Sequence, residues 1–390
     1  MIKSESKPRN GSRLSAVQEF VRLVEGGTFR PGDRLPVERV LAEQLGVSKP
    51  TLHTVLQELE VRGVITKSKE RGWQRRVVVG TPTDASILSQ TVAVLTGFTS
   101  EMVKRIPLRR GEYESALPSY CLHAITEAGY HALLLHRDNL TTHTFARMAR
   151  ENTSGVVVLW SAIATPDGME LVNSLRDHGI AVVVNSYGSQ TEKFDRVMSD
   201  HAQGAYDLTR FLIAKGCRRI VRYWVVRSNI RAAEWLIQRD LGYTRAMTEA
   251  GLEVLPAIHA LAPEELDDEE EHFEVGKRLA MSYLVGLLNQ PAPVDGILAL
   301  NDGLFFAIAE AVQALGKAPQ KDVLIVGYDN NWETSGMRKW TPFQPLATMD
   351  KKNQSVGQAM VQLVLERARR QLPEEPQCRL LKPELNIVSE

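Results

Sequence analysis

The sequence predicts an α/β protein in two parts: a winged helix-turn-helix over residues 1–79, and a large body of parallel sheet covered by helices over residues 91–390. Three observations carry this expectation. Two helical segments meet at Leu45-Gly46-Val47-Ser48 and lead into a pair of basic, β-rich runs. Beyond residue 90, short β-branched runs alternate with amphipathic helical stretches, as in sheets buried on both faces. The zero net charge over 390 residues conceals a split. Residues 1–80 hold 15 Lys and Arg against 9 Asp and Glu, so a head of +6 is attached to a body of −6.

In the head, Ser12 to Glu25 reads as a helix, with Leu14, Val17, Val21 and Val24 at helical spacing. Gly26 and Gly27 end it. Arg30-Pro31-Gly32-Asp33-Arg34-Leu35-Pro36 is a turn, because proline fixes φ and glycine permits positive φ. A second helix runs from Val37 to Gln44, and a third from Lys49 to about Arg62, capped by Ser48. Gly63 to Lys67 and Gln74 to Val79 are strand-like and flank a basic tip, Ser68 to Trp73. In such a unit the third helix presents its first residues to a major groove. The plainer reading is a three-helix bundle with a hairpin that binds no nucleic acid, and the basic residues at the contact positions count against it.

Gly32 to Pro36, then Val37-Glu38-Arg39-Val40-Leu41-Ala42-Glu43-Gln44, then Leu45-Gly46-Val47-Ser48-Lys49-Pro50-Thr51-Leu52, resembles the signature of the GntR family of bacterial regulators. The resemblance spans residues 12–79. It implies that Arg34, Arg39, Ser48, Lys49 and Thr51 touch operator DNA, with Gly72 at the wing tip. Three places depart from the pattern. Val37 stands where serine is usual, His53 occupies a contact position that is generally arginine, and the wing reads Arg71-Gly72-Trp73-Gln74.

Gly80-Thr81-Pro82-Thr83-Asp84-Ala85-Ser86 reads as a junction, which sets a linker at 80–90. The strand-like runs of the body are Val92–Leu95, His131–Leu135, Gly155–Leu159, Ala181–Val184, Arg219–Tyr223, Val254–His259, Gly296–Leu300 and Val323–Val326, with a break near Arg196-Val197-Met198. Two doubly wound lobes suit this count better than one sheet, and a (β/α)8 barrel is the competing architecture that periodicity alone does not exclude. A second resemblance chooses between them. Asp200 to Ala205, Leu212 to Ile220, Arg239 to Met247, Ile297 to Asp302, Val323 to Asn330 and Leu346 to Asp350 look, in that order, like the LacI/GalR effector domain. This resemblance covers residues 91–388. It implies a periplasmic-binding-protein-like fold with two lobes, a three-strand hinge and a ligand in the cleft. A GntR reader on such a sensor resembles the AraR-type arrangement. A homodimer is then expected, with Tyr113–Ala128 and the helix after Thr348 among its contacts.

Ligands of open α/β sheets bind beyond the C-terminal ends of strands, which nominates Phe98, Trp160, Asn185, Tyr187, Arg239, Asp302, Tyr328 and Asp329. The family pattern gives the effector role to Arg239 and Asp302. A carbohydrate needs planar hydrogen bonders for its hydroxyls and an aromatic face for its C–H patch, which Trp160, Tyr187 or Phe305 would supply. Trp332 is as readily lobe packing as ligand stacking.

Other chemistry has little support. The acidic run Glu264 to Glu271 reads as a solvated loop or helix start. The histidines, His178 and His201 included, form no HExxH pair and read as surface or core residues, and neither a metal nor a cofactor is expected. Cys121, Cys217 and Cys378 are odd in number and far apart, which fits a reducing cytoplasm. The polar first ten residues do not read as a secretory signal. The expected protein is a transcription regulator, a repressor by resemblance, controlled by a small molecule such as a sugar. The alternatives are a regulator of a non-sugar metabolite and an enzyme built on the α/β body. A pyridoxal-phosphate enzyme would need a far longer body, and a transport-type binding protein would carry no DNA reader.

Overall fold

A computed structural model describes residues 13–25, 28–29, 33–61, 64–68, 74–77, 87–97, 113–141, 144–145, 148–149, 151, 153–164, 166–226, 234–261 and 269–388. The chain divides into two compact units, Met1–Ser89 and Gln90–Glu390.

The first unit contains α1 (Arg13–Glu25), α2 (Glu38–Gln44), α3 (Lys49–Val61), β1 (Ile65–Ser68) and β2 (Gln74–Val77). Its core is Val17 and Phe20 of α1, Leu41 of α2, and Leu52, Val55, Leu56 and Leu59 of α3, closed by Ile65 of β1. Phe20 stacks on Phe29, with ring centroids 5.4 Å apart. Gly46 adopts φ 64°, which an L side chain resists, and the 47 N–H reaches back to the Ala42 carbonyl at 3.0 Å to close α2. Ser48 Oγ accepts from the Thr51 N–H at 3.3 Å and so caps α3. At the start of α2, Val37 offers no capping hydrogen bond and is 70% exposed. β1 and β2 pair antiparallel from Ile65↔Val77 to Ser68↔Gln74. The wing tip and the linker residues 80–86 lie outside the described residues.

The second unit holds two separate parallel sheets, which decides the architecture in favour of two lobes and against a barrel. In the first lobe the strand order is β13-β7-β6-β5-β3-β4. These strands are β3 (Thr91–Thr96), β4 (His131–His136), β5 (Gly155–Val158), β6 (Val182–Val184), β7 (Asp195–Ser199) and, late in the chain, β13 (Cys378–Leu381). β3, β5 and β6 are wholly buried runs, since helices cover both faces. The helices are α4 (Tyr113–Glu127), α5 (Trp160–Ile163), α6 (Pro166–Asp177) and α11 (Asn353–Ala368).

The second lobe has the order β11-β10-β8-β9, from β8 (Ile220–Val226), β9 (Ile258–Leu261), β10 (Gly296–Ala299) and β11 (Leu324–Val326). Its helices are α7 (His201–Ala214), α8 (Glu234–Glu249), α9 (Glu269–Leu288) and α10 (Asp302–Ala314). β12 (Ala347–Asp350) pairs antiparallel with β14 (Glu384–Ile387). The chain therefore passes between lobes after β7, after β12 and after β13, and these three passages form the hinge.

Two sequence expectations are corrected. The supposed break at Arg196-Val197-Met198 is the middle of β7, a short strand whose charged Arg196 hides its pattern. The run Val254–His259 is mostly extended coil, and the strand begins only at Ile258. Of the acidic run, Glu269, Glu270 and Glu271 form the first turn of α9, where carboxylates favour the helix dipole.

Candidate functional site

In the reader unit, the residues that α3 does not bury lie on one row. Leu52, Val55, Leu56 and Leu59 face the core, so Lys49, Pro50, His53, Thr54 and Gln57 face outward at helical spacing. His53 and Gln57 lie side by side, with their Nε2 atoms 3.4 Å apart. Thr54 Oγ1 donates to the Pro50 carbonyl at 3.3 Å, and Ser48 Oγ lies 2.8 Å from Thr51 Oγ1. Arg39 on α2 and Arg34 before it are exposed. Thr54 and Gln57 escaped the sequence reading, although counting by three and four from Pro50 and His53 would have found them. Gly72 lies outside the described residues.

In the second unit, the C-terminal ends of the strands converge on a buried cluster around Arg239, which is 2% exposed. Its guanidinium lies 3.5 Å from the Tyr328 ring centroid and 4.7 Å from that of Trp235. Nη1 donates to the Leu300 carbonyl at 2.6 Å, and Nε donates to His201 Nδ1 at 3.4 Å. Nη2 is 3.9 Å from Asp329 Oδ1. Burial and the neighbouring guanidinium hold the His201 imidazole well below its ordinary pKa, so it is neutral at pH 7. Its ring is stacked near Tyr328 and tilted toward Trp235 and Tyr187, at 5.8, 6.0 and 5.7 Å. Tyr187 donates its hydroxyl proton to the Ser199 carbonyl and accepts from the His201 N–H at 3.2 Å. Burial pushes the phenols of Tyr187 and Tyr328 up, so both remain protonated donors.

Asp302 opens α10 and is fully buried. Thr348 Oγ1 donates to its Oδ1 at 2.7 Å and the Asn331 N–H to its Oδ2 at 2.8 Å. A Cβ on Gly327 would lie 1.9 Å from the same carboxylate, so glycine is required there. Burial outweighs these donors and pushes the Asp302 pKa up to about 7. Asp302 thus holds the 327–332 loop in place from behind. In that loop Asp329 takes φ 102° and Asn330 φ 54°, a strained arrangement for side chains other than glycine. Asp329 is paired with Lys351 at 2.5 Å, and Lys351 is 1% exposed.

The sequence-nominated residues therefore separate. Arg239 and Tyr187 meet at His201, and Asp302 stands behind them. Asn185 turns its amide away and donates to the Val197 carbonyl at 2.9 Å, tying β6 to β7. Trp160 opens α5 and is half-buried. Among the described residues no hydrogen bond or ring contact joins it to the Arg239 cluster. Phe98 lies outside the described residues. Phe305 is a correction: it is fully buried against Phe306, 5.3 Å away in an edge-on contact, and belongs to the core. Trp332 likewise packs in that core, with Arg338 over its ring at 5.2 Å. The sequence reading missed His201, Trp235 and Lys351. Taking β7 for a break hid that His201 stands just beyond a strand end. Among the described residues there is no group of metal-ligating side chains and no helix long and apolar enough to cross a membrane.

Fold and site together define a DNA-reader domain joined to a two-lobed sensor of ligands. Residues 13–74 match the family model described as "Bacterial regulatory proteins, gntR family", and residues 209–387 match "Periplasmic binding protein-like domain". The chain thus carries a GntR-type helix-turn-helix domain and a periplasmic-binding-protein-like domain. It is similar to the HTH-type transcriptional repressor PurR of Glaesserella parasuis, 25% identical over 67% of this chain and 70% of that protein. It is similar also to the arabinose metabolism transcriptional repressor of Geobacillus stearothermophilus, 24% identical over 81% of each chain. Among solved structures, the transcriptional regulator CelR in complex with cellobiose shares the fold with a TM-score of 0.59 and 18% identity, over 90% of this chain and 99% of that one.

Proposed function

We propose that this chain is an effector-controlled, sequence-specific DNA-binding regulator, in the sense of a repressor, whose effector is a sugar held between the lobes at Arg239. The observation that carries the ligand reading is the flat guanidinium of Arg239 held between Tyr328 and Trp235 beside a neutral histidine. An arginine fixed in this way offers in-plane hydrogen bonds to adjacent hydroxyls, while the rings offer an apolar face. Relatives named for arabinose metabolism and for cellobiose binding support a carbohydrate over another metabolite. In this reading Tyr187 and His201 contact the ligand together with Arg239, and Asp302 positions the loop that bears Tyr328 and Asp329. Trp160 is a further proposed ligand contact, whereas the Asn185 amide is committed to the Val197 carbonyl.

Arg34, Arg39, Ser48, Lys49, Thr51, His53 and the wing at Gly72 are the proposed DNA contacts, with Lys49 and His53 heading the exposed row of α3. A homodimer would read two half-sites, and ligand binding coupled to operator binding typically carries about 1–3 kcal/mol. Such a regulator works in the compartment that holds the DNA, which for a bacterial chain is the cytoplasm, and it needs no catalytic residue.

The test is a thermal-shift series against mono- and disaccharides, followed by operator binding with and without the stabilising sugar. A hit should raise the melting temperature by mass action and disappear in Arg239→Ala. If no sugar stabilises the protein, or if the hit persists in that variant, the sugar reading of this cleft is wrong.

A further inference from the structure

At the other end of the first lobe, away from the strand ends that meet Arg239, lies a cavity of about 600 Å³. It opens where β6 and β7 begin and where α6 and α11 end. This volume falls within the range of small-molecule sites. Its lining contains five cationic side chains, Arg176, Lys193, Arg367, Arg369 and Arg370, against two carboxylates, Asp195 and Glu374. Two of the five are already paired: Arg367 grips Asp195 at 2.6 and 2.7 Å, and Arg176 Nη2 donates to Asp177 Oδ1 at 3.4 Å. The rest give the cavity a positive balance on a unit whose overall charge is negative.

The plainest account is that these cations serve the C-terminal ends of α6 and α11. Each helix end carries only about half a negative charge, so the two together offset one cation and leave an excess. One further feature argues for an occupant. Three of the arms are held rather than waving: Arg176 and Lys193 lie over the Phe194 ring at 5.2 and 5.8 Å, and Arg369 donates to Tyr130 Oη at 3.0 Å.

We propose that this cavity is a second ligand site, separate from the cleft, for a small organic anion with a phosphate group and an apolar body. Arg176, Lys193 and Arg370 hold the phosphate as charge-assisted donors. Met148, Ile180 and Pro376 take the apolar part. Phosphate esters are a class that the cleft reading does not involve, so the regulator would respond to two different signals.

The experiment uses the full chain and phenyl phosphate as probe, with inorganic phosphate, phenol and sodium sulfate at matched ionic strength as comparisons. Calorimetric titration and thermal shift should show phenyl phosphate binding more tightly than phosphate or phenol. Lys193→Glu with Arg370→Glu should weaken that binding by about tenfold or more. Binding should persist in Arg239→Ala. Equal effects of sulfate and phenyl phosphate would mean an adventitious ion only and would overturn the proposal. So would full binding in the double charge variant, or loss of binding in Arg239→Ala, which would place the anion in the cleft.

Discussion

Replacing Asp302 with asparagine keeps the shape of the side chain and removes its proton equilibrium, which makes it a clean probe of the cleft. In the folded chain its pKa is raised from 3.8 to about 7 by burial, against the pull of Thr348 and the loop N–H groups. The folded state therefore holds a proton between about pH 4 and 7 that the unfolded chain has released. The stabilisation from this group is complete below pH 4 and is lost as pH rises toward 7. At 1.36 kcal/mol per unit, the window from pH 5 to 8 contains roughly 2–3 kcal/mol of that loss. His201 acts in the opposite sense, because its folded pKa is lowered and its contribution disappears as pH falls through 6.5. Both proteins retain His201, so their difference isolates Asp302. Urea unfolding of the sensor unit's transition at pH 5, 6, 7 and 8 should show wild type losing roughly 2–3 kcal/mol relative to Asp302→Asn as pH rises. Parallel stability curves for the two proteins would refute a buried, protonated Asp302.

Val37 caps α2 without a side-chain hydrogen bond, so Val37→Ser should stabilise the reader unit by about 1 kcal/mol, read as a higher urea midpoint with unchanged slope. A Cβ on Gly242 would lie 1.9 Å from the Ala202 carbonyl oxygen, so Gly242→Ala must part α7 from α8, and thermal unfolding should report a loss of about 1–3 kcal/mol or more. Arg39→Ala should weaken operator binding by about 1–3 kcal/mol at fixed salt. If Arg39 meets a base edge, sequence preference should relax at one position, whereas a phosphate contact should reduce the salt slope by about one.

What could be read from the sequence follows from how local the signal is. The turn at Gly46, the cap at Ser48 and the buried runs of β3, β5 and β6 each rest on residues within a few positions, and their elements formed where expected. β12, β13 and β14 are short strands whose partners lie far along the chain, and β7 is interrupted by its charged Arg196, so their patterns are weak. β13 lies beside β7 only because Cys378–Leu381 returns some 180 residues later. Arg239 was legible through the family resemblance carried by the whole run Arg239 to Met247. Its surroundings were legible only in part: the strand-end rule points to Tyr328 and Asp329, whereas His201, Trp235 and Lys351 come from three separate segments. Asp302 shows the limit of motif reading, which found the residue but not that its carboxylate is turned to the loop behind the cleft.

The placement of buried charge argues for how this unit responds to a ligand. A buried ion pair contributes little net stability, because desolvation offsets most of its attraction, so Lys351 and Asp329 are poorly explained as a structural rivet. Their positions are more telling. Asp329 sits on the strained loop, 3.9 Å from Arg239. Lys351 follows β12 directly and leads into α11, which packs across the first lobe. Arg239 spends Nη1 on the Leu300 carbonyl and Nε on His201, so in the proposed reading its Nη2 edge, beside Asp329, is the edge that would meet a ligand. A hydroxyl that binds there draws on the same carboxylate that holds Lys351. The ligand then competes with, or reinforces, an interaction that spans a hinge passage. Only such a differential contact can shift a two-state equilibrium between lobe arrangements. A buried contact of small net stability, with burial pulling the Lys351 pKa well below its ordinary value, suits that task better than apolar packing, which would resist both arrangements equally.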